Sequence, residues 1–271
     1  MTSLVSEPFL WRWIAVATAV LTVIVIGESW IGHYRSGFPL RAQYAPLVGG
    51  MALATACVAL ALVPRVEWVR LAVRWAGWVA VFTGVIGAGY HHYYGIVEKA
   101  GGYRWLLHHL MYGAPQLAPL ALSTAGALAV LASEGVASAA VSPSASVPRL
   151  ALAVVAIALA GAVAQTGILH YRGAFNTPFM YAPLALPPLA ALGTGWLALA
   201  PAVGLTGVVR VLLWATFLLG FVGLGMHLRG LDRQMGGLHV FLFNLLQGPP
   251  PLAPAVYATL AGVGLLLLRA W

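Results

Sequence analysis

Eight histidines (His33, His91, His92, His108, His109, His170, His227 and His239) follow the C-terminal ends of odd-numbered hydrophobic stretches, and none lies near the opposite ends. Imidazole is the commonest side-chain ligand for haem iron, copper and zinc. A one-sided set of this size therefore reads first as a ligand field. Four of the eight also occupy matching places in two halves of the chain. A shift of 137 residues carries His33, Tyr34 and Arg35 onto His170, Tyr171 and Arg172, then Phe38 onto Phe175 and Tyr44-Ala45-Pro46 onto Tyr181-Ala182-Pro183. Further on, at an interval of 135, His92 meets His227, Gly101-Gly102 meets Gly236-Gly237, Gly113 meets Gly248, and Pro115 meets Pro250. The expected metal ligands are accordingly His33, His92, His170 and His227, forming one central site or two two-histidine sites.

Other residues complete the chemistry. Arg35 and Arg172 each follow a matched histidine by two positions. A planar guanidinium holds a carboxylate bidentately, so these arginines suit the propionates of haem b, a lipid phosphate or a quinone head group. Glu28 lies five residues before His33, within an apolar stretch, and Gln165 is its partner in the second half. A carboxylate inside hydrocarbon is a candidate for proton relay or metal binding, and a hydrogen bond to a neighbouring helix is its structural alternative. Adjacent histidines on a helix cannot point the same way. The repeat selects His92 over His91, and it selects His109 over His108 because Asn244 is the counterpart of His109. His109 thus joins Arg35 and Arg172 as an expected cofactor contact. Copper and non-haem iron are the alternatives to haem b. The lone cysteine, Cys57, excludes a CxxCH haem attachment and any thiolate cluster; there is no HExxH, no Gly-rich phosphate loop and no carboxylate pair fit for a di-iron centre.

The elements that must position these residues are membrane spans. Of 271 residues 61% are hydrophobic and 7% charged, against about 25% charged in soluble domains. A spanning helix needs roughly 20 apolar residues, and eight stretches qualify: 9–32, 44–63, 67–92, 115–133, 148–170, 181–201, 205–228 and 250–270. The expected fold is all-α and integral to the membrane. Its eight transmembrane helices form two parallel four-helix repeats, 1–133 and 148–271, joined by a small-residue linker at 134–147. Each half adds a short, aromatic-rich interfacial segment. The net charge of +8 is spread without a basic run, so nucleic acid is not an expected partner.

These features predict an integral membrane redox protein that relays electrons, with quinone and further electron-transfer subunits as partners beside the lipid bilayer. If it is an enzyme, it is the membrane subunit of an oxidoreductase. A solute or metal-ion transporter and a structural assembly subunit are the competing readings. Outside the candidate site, seven arginines lie on the side of the termini and five basic residues on the histidine side. The positive-inside rule then places the termini in the cytoplasm of a bacterial-type inner or plasma membrane, with the histidines facing out.

Overall fold

The computed structural model describes residues 8–141 and 146–270, and every regular element among them is helical. Five helices come before residue 142: α1 (Pro8–Arg35), α2 (Ala45–Leu62), α3 (Glu67–His92), the short α4 (Leu106–Tyr112) and α5 (Leu120–Val141). Five follow: α6 (Ser146–Arg172), α7 (Ala182–Leu199), α8 (Val203–Asp232), the short α9 (Phe241–Gln247) and α10 (Ala253–Leu267). Among the described residues, seven helices are long and apolar enough to cross a membrane. The expected eighth span, 250–270, falls short of that length. Its α-helix has 15 residues, about 22 Å at the helical rise, and a 3₁₀ turn extends it through Leu268–Ala270. Within the expected linker, α5 stays helical to Val141 and α6 begins at Ser146, because alanine is the strongest helix former; positions 142–145 lie outside the described residues.

Packing follows a closed square in each group. α1 and α3 each pack on both α2 and α5, while α6 and α8 each pack on both α7 and α10. The two squares meet where α1 touches α10 and α5 touches α6. More than half of the apolar stretch of α1 and of α5 is buried (56% each), against 22–28% for α2, α3, α7 and α8. The latter four therefore present their hydrophobic surface outward, including Trp68, Trp75, Trp196 and Leu199. So large an apolar exterior does not occur on soluble monomers, and it suits a lipid bilayer.

Small residues bring the helices together. A methyl group added at Gly84 of α3 would meet the Pro119 carbonyl at 2.6 Å, and one at Gly220 of α8 would meet the backbone nitrogen of Ala258 of α10 at 2.6 Å. Away from the histidines, the ends are tied by arginines and hydroxyls. Arg12 donates to the Ala61 carbonyl at 2.6 Å, Arg210 to the Leu268 carbonyl at 3.2 Å, and Ser133 to the Arg70 carbonyl at 3.1 Å. Arg74 and Glu134 form an ion pair at 3.0 Å.

At the histidine end, α1 and α6 finish in the same way. The Phe38 amide donates back to the His33 carbonyl and the Gly37 amide to that of Tyr34; Phe175 and Ala174 do the same to His170 and Tyr171. This is the Schellman pattern, which requires a left-handed residue after the helix. Gly37 supplies it at φ 74° and Ala174 at φ 56°; the phenylalanines that follow are also left-handed, at φ 50° and 47°. Each phenylalanine then stacks on a tyrosine, Phe38 on Tyr44 at 4.6 Å and Phe175 on Tyr181 at 4.5 Å between ring centres.

Candidate functional site

The turns just described carry His33 and His170 to the ends of α1 and α6. Phe38 meets the His33 ring edge-on at 5.9 Å, and Phe175 meets His170 at 6.3 Å. Nδ1 of His170 is hydrogen-bonded to the Met180 carbonyl at 2.7 Å. Nδ1 of His33 faces the equivalent backbone position, Gln43, without closing a hydrogen bond.

The histidine facing His33 is His91, not His92. Their ring centres are 6.3 Å apart, with the planes at 76°. His91 Nδ1 bonds to the Pro115 carbonyl at 2.8 Å, and His227 Nδ1 bonds to the Pro250 carbonyl at 2.6 Å. His91 is therefore the counterpart of His227 in position and in bonding, and His170 lies within electrostatic reach of His227. His92 turns outward instead, and its Nε2 bonds to the Tyr103 hydroxyl at 2.6 Å. The register error has a local cause. Residues Tyr93–Val97 form a π-helix, which holds one residue more than the α-helical path. The extra residue lies after His91, so the interval is 136 at the histidine and 135 beyond it. Sequence pairing by the later interval alone selected the wrong neighbour. Gly84, Gly87 and Gly89 precede Gly220, Gly223 and Gly225 by 136; these pairs carried the signal.

Glu28 and Gln165 perform one task reciprocally across the two squares. Oε1 of Glu28 accepts the amide of Leu252, ahead of α10, at 2.6 Å; Oε1 of Gln165 accepts the amide of Leu117, ahead of α5, at 3.1 Å. Amides at and just before a helix start have no helical carbonyl to bond; Glu28 satisfies that of Leu252, the residue preceding α10, and Gln165 that of Leu117, in the turn leading into α5. Arg35 also reaches across, donating from Nη2 to the Leu245 and Gly248 carbonyls at 3.0 Å each, at the end of α9. Arg172 is exposed, within electrostatic reach of Arg35, and bonds to no described side chain or carbonyl.

His109 is the one buried residue of α4 and is 9% exposed; its Nε2 has no hydrogen-bond partner. Asn244, its counterpart on α9, is 2% exposed and donates to the carbonyls of Gly237, Met235 and Leu231 at 2.8, 3.3 and 3.4 Å. His108 packs against Tyr112 at 4.9 Å. The structure thus brings the rings of His33 and His91 together, leaves His170 within electrostatic reach of His227, and turns His92 to Tyr103.

Among the described residues, no three histidine, cysteine, aspartate or glutamate side chains come close enough to hold a metal ion by themselves. A copper or non-haem iron centre with three protein ligands therefore has no donor set here. A histidine pair is the donor set of a six-coordinate haem, whose macrocycle supplies the other four nitrogens. Compared with protein-family models, curated proteins and solved structures, the chain matches none.

Proposed function

We propose that this chain is an integral membrane electron-transfer protein that holds haem b at two histidine pairs, His33 with His91 and His170 with His227. The observation that carries this reading is the use of Nδ1. In His91, His170 and His227 that nitrogen is bonded to a backbone carbonyl, which fixes the tautomer and leaves Nε2 as the free lone pair. Metal-ligating histidines are oriented by this kind of hydrogen bond. The 6.3 Å between the His33 and His91 rings also suits a shared ion. Arg172, free of protein partners, is the better placed of the two arginines for a propionate, while Arg35 spends one nitrogen on α9.

In this reading the chain crosses the membrane eight times as two parallel four-helix repeats, with α10 as the short last span and α4 and α9 lying along the surface. The repeated Schellman turns, the Nδ1–carbonyl bonds and the reciprocal Glu28 and Gln165 caps support the repeat. The histidine end faces outward from a bacterial-type plasma membrane. Haem bound there would supply one-electron chemistry; His33, His91, His170 and His227 would hold it through their nitrogens, and Arg172 would supply a neutralising guanidinium. Electrons pass to or from quinone or a companion subunit. A transporter reading would draw on polar groups inside the long helices; Glu28 and Gln165 are committed to backbone amides, which leaves the unpartnered hydroxyls of Thr194 and Thr216.

The test is an absorption spectrum of the detergent-purified protein. A Soret band with two haems per chain is expected. Replacing His91 with alanine should remove one haem, whereas His92→Ala should leave both. Absence of a Soret band from protein produced with ample haem overturns the proposal.

A further inference from the structure

Resting on the membrane reading, a second ligand site follows from a surface that the two halves do not share. Where α8 ends and α9 begins, Leu228, Arg229, Asp232, Leu238 and Phe241 line a shallow, open surface depression. Arg229 and Asp232 are three residues apart on one helix, so they share a face. Neither side chain has an ion pair or hydrogen bond with the described residues. The remaining lining is apolar and exposed: Leu228 45%, Leu238 59% and Phe241 41%. An unpaired cation and an unpaired anion thus stand beside a greasy depression, at the end of a span.

The first half does not carry these two charges at the matching positions. At the 135-residue interval Arg229 answers to Tyr94, Asp232 to Val97 and Leu238 to Tyr103. Tyr103 is clasped by His92 at 2.6 Å, which ties down the position where Leu238 leaves the depression open. The charge pair therefore belongs to one half alone.

We infer that this depression binds one phospholipid with a phosphoethanolamine head group. Arg229 takes the phosphate, for which a guanidinium fork is the best side-chain partner. Asp232 takes the primary ammonium, and Leu228, Leu238 and Phe241 take the first part of an acyl chain. The complementarity discriminates between head groups. Phosphocholine carries a cation without N–H donors, so it offers Asp232 charge but no hydrogen bond. Phosphoglycerol carries no cation, and Asp232 repels its anion.

The test titrates the full-length, detergent-purified chain with dihexanoyl phosphatidylethanolamine, phosphatidylcholine and phosphatidylglycerol, reading bound lipid by native mass spectrometry. Phosphatidylethanolamine should bind about fivefold more tightly than the other two, the size of one exposed ion pair. Asp232→Asn should erase that preference, and Arg229→Gln should weaken all three lipids. Equal affinities for the three lipids, or a preference that survives Asp232→Asn, would overturn the inference. Asp232→Asn is isosteric and exposed, so it decides the matter even if Arg229→Gln does not fold. Failure of the membrane reading looks different: the chain would stay dispersed in water without detergent.

Discussion

Ala174 occupies a backbone position that glycine fills in the first half. Its φ of 56° costs an L-residue with a Cβ about 1 kcal/mol or more, and Gly37 avoids that cost. Ala174→Gly should therefore raise stability by about 1 kcal/mol, read as a higher midpoint of thermal unfolding in detergent; an unchanged or lower midpoint would count against strain at this turn. His109 supports a second expectation. Asn244 shows that an amide in this setting can be satisfied by loop carbonyls, so His109→Asn should retain folded yield and, on the proposed reading, the same haem content as the parent. Loss of a haem in that variant would instead make His109 a ligand. The histidine-bearing end was legible in the sequence because histidine, arginine and glycine recur in order there. The choice between His91 and His92 was not, since it turns on one inserted residue that only the backbone path reveals.

Helix ends and crossings set the next scale. Glu28 and Gln165 do the same work with different side chains, so the work requires an acceptor oxygen and no charge. Glu28→Gln should be close to neutral, while Glu28→Leu should cost about 1–2 kcal/mol, the range for loss of a helix cap, measured as a shift in denaturation midpoint. If Glu28→Gln abolishes electron transfer while sparing haem content, the carboxylate has a proton-carrying role beyond capping. At the crossings, Gly220→Val should prevent assembly outright, because the added group would meet the Ala258 backbone nitrogen at 2.6 Å and backbone cannot yield as a side chain tip can. The long apolar helices were readable from hydropathy alone. The short last helix was not, because proline and glycine at 248–251 take residues from the span that composition still counts as apolar.

For the whole molecule, the proposed eight-span repeat predicts that residue 1 and residue 271 lie on the same side of the membrane. Epitope tags at the two ends should be accessible together, in sealed inverted vesicles and not in intact cells; opposite accessibility would break the parallel repeat. Glu28 and Arg35 hold the second square, and Gln165 holds the first. That exchange has a consequence for the order of synthesis. When α5 leaves the ribosome, the Leu117 amide waits for Gln165, about fifty residues downstream, and the Leu252 amide that donates to Glu28 is made only near the end of the chain, 224 positions later. The Leu117 end is therefore closed once α6 is made, whereas the Glu28 end stays open until the start of α10 has been translated. A stop codon shortly before α10 should leave a product that the cell's membrane proteases treat as incomplete from its first helix onward.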